Sequence, residues 1–86
     1  MPELCRFYGI SIRINFRDHN PPHFHALYGE HEAVVGINSI SVVEGQLPAR
    51  ARRLVVEWAF LHQDELMAAW IRAQRSEPPG RIAPLE

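Results

Sequence analysis

Three of the chain's five histidines, His19, His23 and His25, fall within seven residues in the stretch Asp18-His19-Asn20-Pro21-Pro22-His23-Phe24-His25. Proline fixes φ and has no amide hydrogen, and it drives the residue before it toward extended geometry. Asn20-Pro21-Pro22 therefore predicts a stiff, extended corner from which the chain leaves as a strand. Side chains alternate along a strand, so His23 and His25 share one face and Phe24 takes the other. Two imidazoles at that spacing can share a zinc, nickel or copper ion. They can equally serve as proton donor and acceptor, because histidine titrates near neutrality. They can also be nothing more than a polar outer strand face.

These possibilities draw on different neighbours. A metal site would combine His23 and His25 with His19 or His31. The single cysteine, Cys5, excludes a multi-thiolate zinc signature. An acid–base site acting on RNA would pair His23 and His25 with Arg13 and Arg17 as phosphate-holding guanidiniums. Such a ribonuclease needs no metal, and no cofactor is required by the chain as a whole.

The elements that must position these residues are legible from periodicity. Tyr8, Ile10, Ile12, Ile14 and Phe16 alternate with Gly9, Ser11, Arg13, Asn15 and Arg17, which predicts a strand over about 7–16 after a lead-in. Strands over 23–28 and 31–37 flank Gly29-Glu30, a pair suited to a two-residue type II′ turn. In that register Ala26 faces Ala33 and Phe24 faces Val35, while His23 and His25 lie beside Glu32, Val34 and Gly36 on the other face. A short strand over 40–43 completes the set. From Pro48, the positions Ala51, Leu54, Val55, Trp58, Leu61, His62, Leu66 and Ala69 form one apolar stripe of a helix over about 48–75. Pro78-Pro79-Gly80 ends it, leaving a tail over 76–86. The predicted architecture is α+β: a single domain, 1–86, with a three- to four-stranded antiparallel meander packed against one long C-terminal helix. Phe60, Met67, Trp70 and Ile71 fall off the stripe. Either the helix bends near Gln63-Asp64, or a second apolar side meets a small protein partner or a second copy of the chain.

With 86 residues there is room for one domain, which buries only roughly 60–65% of its unfolded surface. A net charge of −1 argues against a strongly basic nucleic-acid coat, though a local RNA-binding face is compatible with it. One cysteine cannot form an internal disulfide, which fits a cytoplasmic location. No apolar run approaches the ~20 residues that span a bilayer, and none resembles a signal peptide.

Several segments together resemble a known family: Arg6-Phe7-Tyr8-Gly9-Ile10, Asp18 to Ala26, Tyr28-Gly29-Glu30, Gly45-Gln46-Leu47-Pro48, Glu57-Trp58-Ala59, and Glu65-Leu66 ahead of Trp70. The chain resembles the small prokaryotic domain-of-unknown-function family four-one-six-zero over nearly its whole length. Members of that family are encoded beside another small protein family, two-four-four-two, in a toxin–antitoxin-like arrangement. The resemblance thus implies a partner-binding module in a two-gene pair and no catalytic residues. In that reading Phe60, Met67, Trp70 and Ile71 are the partner anchors, since aromatic side chains dominate interface energetics.

Overall fold

The computed structural model describes residues 2–86, and within them the chain forms five strands and two helices. These are β1 Glu3–Phe7, β2 Ile10–Arg13, β3 His23–Tyr28, β4 His31–Gly36, β5 Val42–Gly45, α1 Ala49–Leu61 and α2 Gln63–Gln74. The strands make one antiparallel sheet in sequential order. The class is α+β, with five strands rather than three or four and two helices rather than one.

The extra strand arises where a single strand over 7–16 is expected. Tyr8 and Gly9 both have positive φ, 50° and 80°, and turn the chain so that Phe7 pairs with Ile10. Two successive left-handed residues make the turn that matches strand twist, and it usually carries Asn-Gly rather than Tyr-Gly. The sign in the sequence is a change of parity. Cys5 and Phe7, at odd positions before the turn, and Ile10, Ile12 and Ile14, at even positions after it, are all buried, while Leu4 is buried where the register shifts between Glu3 and Cys5. Tyr8, read as part of the apolar face, is 52% exposed at the turn.

The β3–β4 hairpin has Tyr28 opposite His31, Ala26 opposite Ala33 and Phe24 opposite Val35. Gly29, at φ 59°, occupies the first turn position. Gly45 ends β5 at φ 70°, and a Cβ there would overlap the Glu32 carbonyl oxygen on β4.

The helices cover the apolar face. Trp58 is fully buried, its ring centroid 5.6 Å from that of Phe7 and 5.9 Å from that of Phe24. The continuous helix is interrupted at His62, whose φ of −124° leaves the helical region. The two segments therefore carry separate stripes: Ala51, Val55, Trp58 and Ala59 on α1, and Leu66, Ala69, Trp70 and Ala73 on α2. Asp64 and Glu65 lie in the first turn of α2, where carboxylates favour the positive helix end. Gln63 Nε2 donates to the Ile37 carbonyl at 2.8 Å, tying the break to the end of β4. The tail also packs. The Ile82 amide donates to the Leu4 carbonyl at 3.0 Å, and the Trp58 indole donates to the Ala83 carbonyl at 2.8 Å.

Gly45→Ala is expected to destabilise the fold by about 2–3 kcal/mol, from a disfavoured φ and a backbone overlap together. Gly29→Ala, whose Cβ would meet nothing within 4 Å, should lose only about 1 kcal/mol for its φ. Urea denaturation of both variants measures this. Equal losses would show that the close approach of Gly45 to β4 does not constrain the sheet.

Candidate functional site

The loop from Ile14 to Pro22 joins β2 to β3 and is held by the end of α2. The Arg17 amide donates to the Ala73 carbonyl at 3.1 Å, and Gln74 Nε2 donates to the Asp18 carbonyl at 3.0 Å. The Asn20–Pro21 peptide is cis. The loop thereby lays Asp18 over the polar face of β3. Asp18 Oδ2 lies 2.9 Å from His23 Nε2 and 3.4 Å from His25 Nε2. Its other oxygen accepts the His19 amide at 2.8 Å and sits 2.9 Å from His19 Nδ1. Asp18, His23 and His25 each offer one ligand-type atom, all within 4.8 Å of one another.

Both rings are fixed from behind. His23 Nδ1 donates to the Pro21 carbonyl at 2.8 Å, and His25 Nδ1 lies 3.1 Å from Glu32 Oε2. Asn15 Nδ2 lies 3.3 Å from both Asp18 Oδ2 and His25 Nε2. The His23 side chain is 5% exposed, with the Trp70 ring at 5.1 Å and the His19 ring at 5.2 Å. His25 and Asp18 keep 12% and 15% exposure, so the cluster reaches the surface.

Proton counting gives this arrangement two states. A neutral imidazole carries one N–H and one lone pair. His23 faces an acceptor oxygen at each nitrogen, so two hydrogen bonds at once require two ring protons. His25 likewise faces Glu32 Oε2 at Nδ1 and Asp18 Oδ2 at Nε2, so its two carboxylate contacts together also require two ring protons. In the metal-free cluster Nε2–H groups point at Asp18 Oδ2; with those protons removed and the Nδ1 protons kept, two Nε2 lone pairs and a carboxylate oxygen converge on one region.

Burial pushes the Asp18 carboxyl up, but hydrogen bonds from the His19 amide, His25, His23 and Asn15 outweigh it and hold the group well below the usual carboxylate range. The ion pairs elsewhere on the sheet do not join this cluster. The Ser11 hydroxyl and Arg6 hold the Glu3 carboxyl below its ordinary value. Burial pushes the Cys5 thiol up to about 12, so it is no nucleophile.

The other residues singled out by sequence separate. Arg13 lies opposite His25 in the β2–β3 register, but its Nε donates to the Ser11 hydroxyl at 2.9 Å. Arg17 is exposed on the loop. His31 sits at the far end of the hairpin from His23. Of the proposed partner anchors, Phe60 and Ile71 are exposed, Met67 is half-buried and Trp70 is buried against the core. Sequence reasoning missed Asp18 and Asn15. Asp18 opens the histidine stretch itself, yet only the fold shows that it turns back onto the strand.

Fold and site define an α+β meander domain with a two-histidine, one-carboxylate cluster on the β3 face opposite Phe24, flanked by Trp70 and the C-terminal end of α2. The chain belongs to the family described as domain of unknown function (DUF4160), whose model matches residues 9–71. No curated protein and no solved structure matches it. Among the described residues no helix is long and apolar enough to cross a membrane.

An aspartate titrates near ~3.9 in an unfolded chain, and Asp18 titrates lower in the fold. Its stabilising contribution is therefore complete above about pH 4 and is lost as pH falls through the folded value. Asp18→Asn is expected to be less stable than wild type near neutrality, with the gap narrowing on acidification to about pH 3. Urea denaturation across that range, without added metal, reads the gap. A constant gap would show that the carboxylate charge does not stabilise the loop.

Proposed function

We propose that the chain is a divalent transition-metal protein whose ligands are Asp18, His23 and His25. The observation that carries this reading is that Asp18 Oδ2 lies 2.9 Å from His23 Nε2 and 3.4 Å from His25 Nε2, while both Nδ1 atoms are turned to oxygen acceptors. Metal-ligating histidines characteristically donate the second ring N–H to a carbonyl or carboxylate, which fixes the tautomer and turns the lone pair toward the ion. Pro21 and Glu32 stand in those two places. A cation at the convergence takes the place of the Nε2 protons shared with Asp18 Oδ2. Two imidazoles with one carboxylate form a borderline donor set suited to zinc, nickel or copper.

A metal that binds the native state raises its stability by mass action, by about 2.7 kcal/mol at one hundred times the dissociation constant. Thermal unfolding of chelator-treated protein should therefore shift upward with Zn(II), Ni(II) or Cu(II), and Asp18→Asn and His25→Ala should abolish the shift. A wild-type melting temperature indifferent to all three ions would sink the reading.

A second reading, the partner-binding half of a toxin–antitoxin-like pair, is favoured by Phe60, Leu61 and Ile71, which are 64%, 67% and 45% exposed. Such apolar side chains on consecutive helices suit a small protein partner or a second copy. Sedimentation velocity of the chain, alone and mixed with the product of the adjoining gene, should show an assembly that Phe60→Asp with Leu61→Asp disrupts. A monomer under both conditions would remove this reading. The metal-independent ribonuclease has weaker support: Arg13 shares the sheet face with His25, but its guanidinium is turned to the Ser11 hydroxyl and Glu3.

A further inference from the structure

We infer that the metal site is open on one side and takes a small oxyanion as an exchangeable ligand, with the Asn15 amide as the donor that positions it. The inference rests on the metal reading above and concerns what completes the coordination. Among the described residues no fourth histidine, cysteine, aspartate or glutamate joins the cluster. The nearest candidates are already committed. Glu32 faces His25 Nδ1, on the side of the ring away from the cluster. His19 is turned to the outer Asp18 oxygen, and its ring is 78% exposed. Three protein ligands characterise sites that keep a coordination position for an exogenous group, whereas structural sites are closed by four.

Charge selects the kind of ligand. A divalent ion held by one carboxylate and two neutral imidazoles keeps a formal charge of +1, which favours an anion in the remaining position. Asn15 supplies the directional contact. Its Nδ2 lies 3.3 Å from both His25 Nε2 and Asp18 Oδ2, so it already points at the place where the ligand atoms converge. Once the His25 Nε2 lone pair is given to a metal, the amide keeps Asp18 Oδ2 as the acceptor for one N–H and has its second N–H free for a ligand at the open position. An oxygen of phosphate or a phosphate ester accepts from it there. Asn15 is thus a positioning residue for the incoming anion and not a metal ligand.

The experiment uses the full chain loaded with Co(II), whose visible bands report coordination number and ligand exchange. Inorganic phosphate is titrated into wild type, Asn15→Ala and Asn15→Asp. Wild type should show saturable band changes. Asn15→Ala should bind Co(II) within about threefold of wild type but phosphate about tenfold more weakly, the loss of one hydrogen bond to a charged group. Asn15→Asp places a carboxylate at the open position and should bind Co(II) more tightly while losing the phosphate response. Co(II) bands that ignore phosphate in wild type would overturn the inference and leave the metal reading standing. No Co(II) bands, beside a melting temperature that zinc, nickel and copper leave unmoved, would overturn both. Equal phosphate affinity in wild type and Asn15→Ala would remove the role given to Asn15.

Discussion

The structure depends on covering one apolar face of a short sheet with helix. Trp58 is the centre of that contact, lying between Phe7 on β1 and Phe24 on β3. Full burial of large apolar side chains of this kind is worth roughly 2 kcal/mol each, which matters in a chain of 86 residues. The same residue anchors the tail through its indole N–H, and the tail in turn bonds to β1 at Leu4. One ring thereby joins the first strand, the central strand, the first helix and the C-terminal segment.

The polar face follows from this packing. β3 turns Phe24 and Ala26 inward, so His23 and His25 must turn outward. Outward does not mean solvated here. The break at His62 redirects α2, whose Trp70 lies against His23 and whose C-terminal end holds the loop that carries Asp18. The result is a half-buried group of lone pairs on a sheet face that would otherwise be wet. Buried polar groups require partners, and each member of this cluster has one.

Much of the fold was legible because it rests on local period. The β3–β4 hairpin and its register follow from Gly29-Glu30 and from the alternation on either side. The residues of the helical region were legible too, and a bend near Gln63-Asp64 is one of two readings of its off-stripe residues; the structure places the break at His62. The first hairpin was hidden because Tyr8 continues an apparent alternation, and the parity change between Phe7 and Ile10 is a weaker signal than the run of isoleucines after it. Trp70 falls off a stripe drawn along one continuous helix; on α2 taken by itself it lies four residues from Leu66 and in phase with Ala69 and Ala73.

The sequence by itself determined that the chain is α+β, that His23 and His25 share a strand face, and that Glu32 lies on that face with them. These are consequences of nearest-neighbour geometry, in which side-chain direction is set by strand parity. Only the tertiary structure decided that Asp18 and Asn15 meet those histidines, that Arg17 and His31 stand apart, and that Arg13, opposite His25, turns its guanidinium to Ser11. A loop position has no period to fix its direction. Asp18 is placed by hydrogen bonds from its loop to Ala73 and Gln74, more than fifty residues away, and no local pattern encodes contacts at that separation.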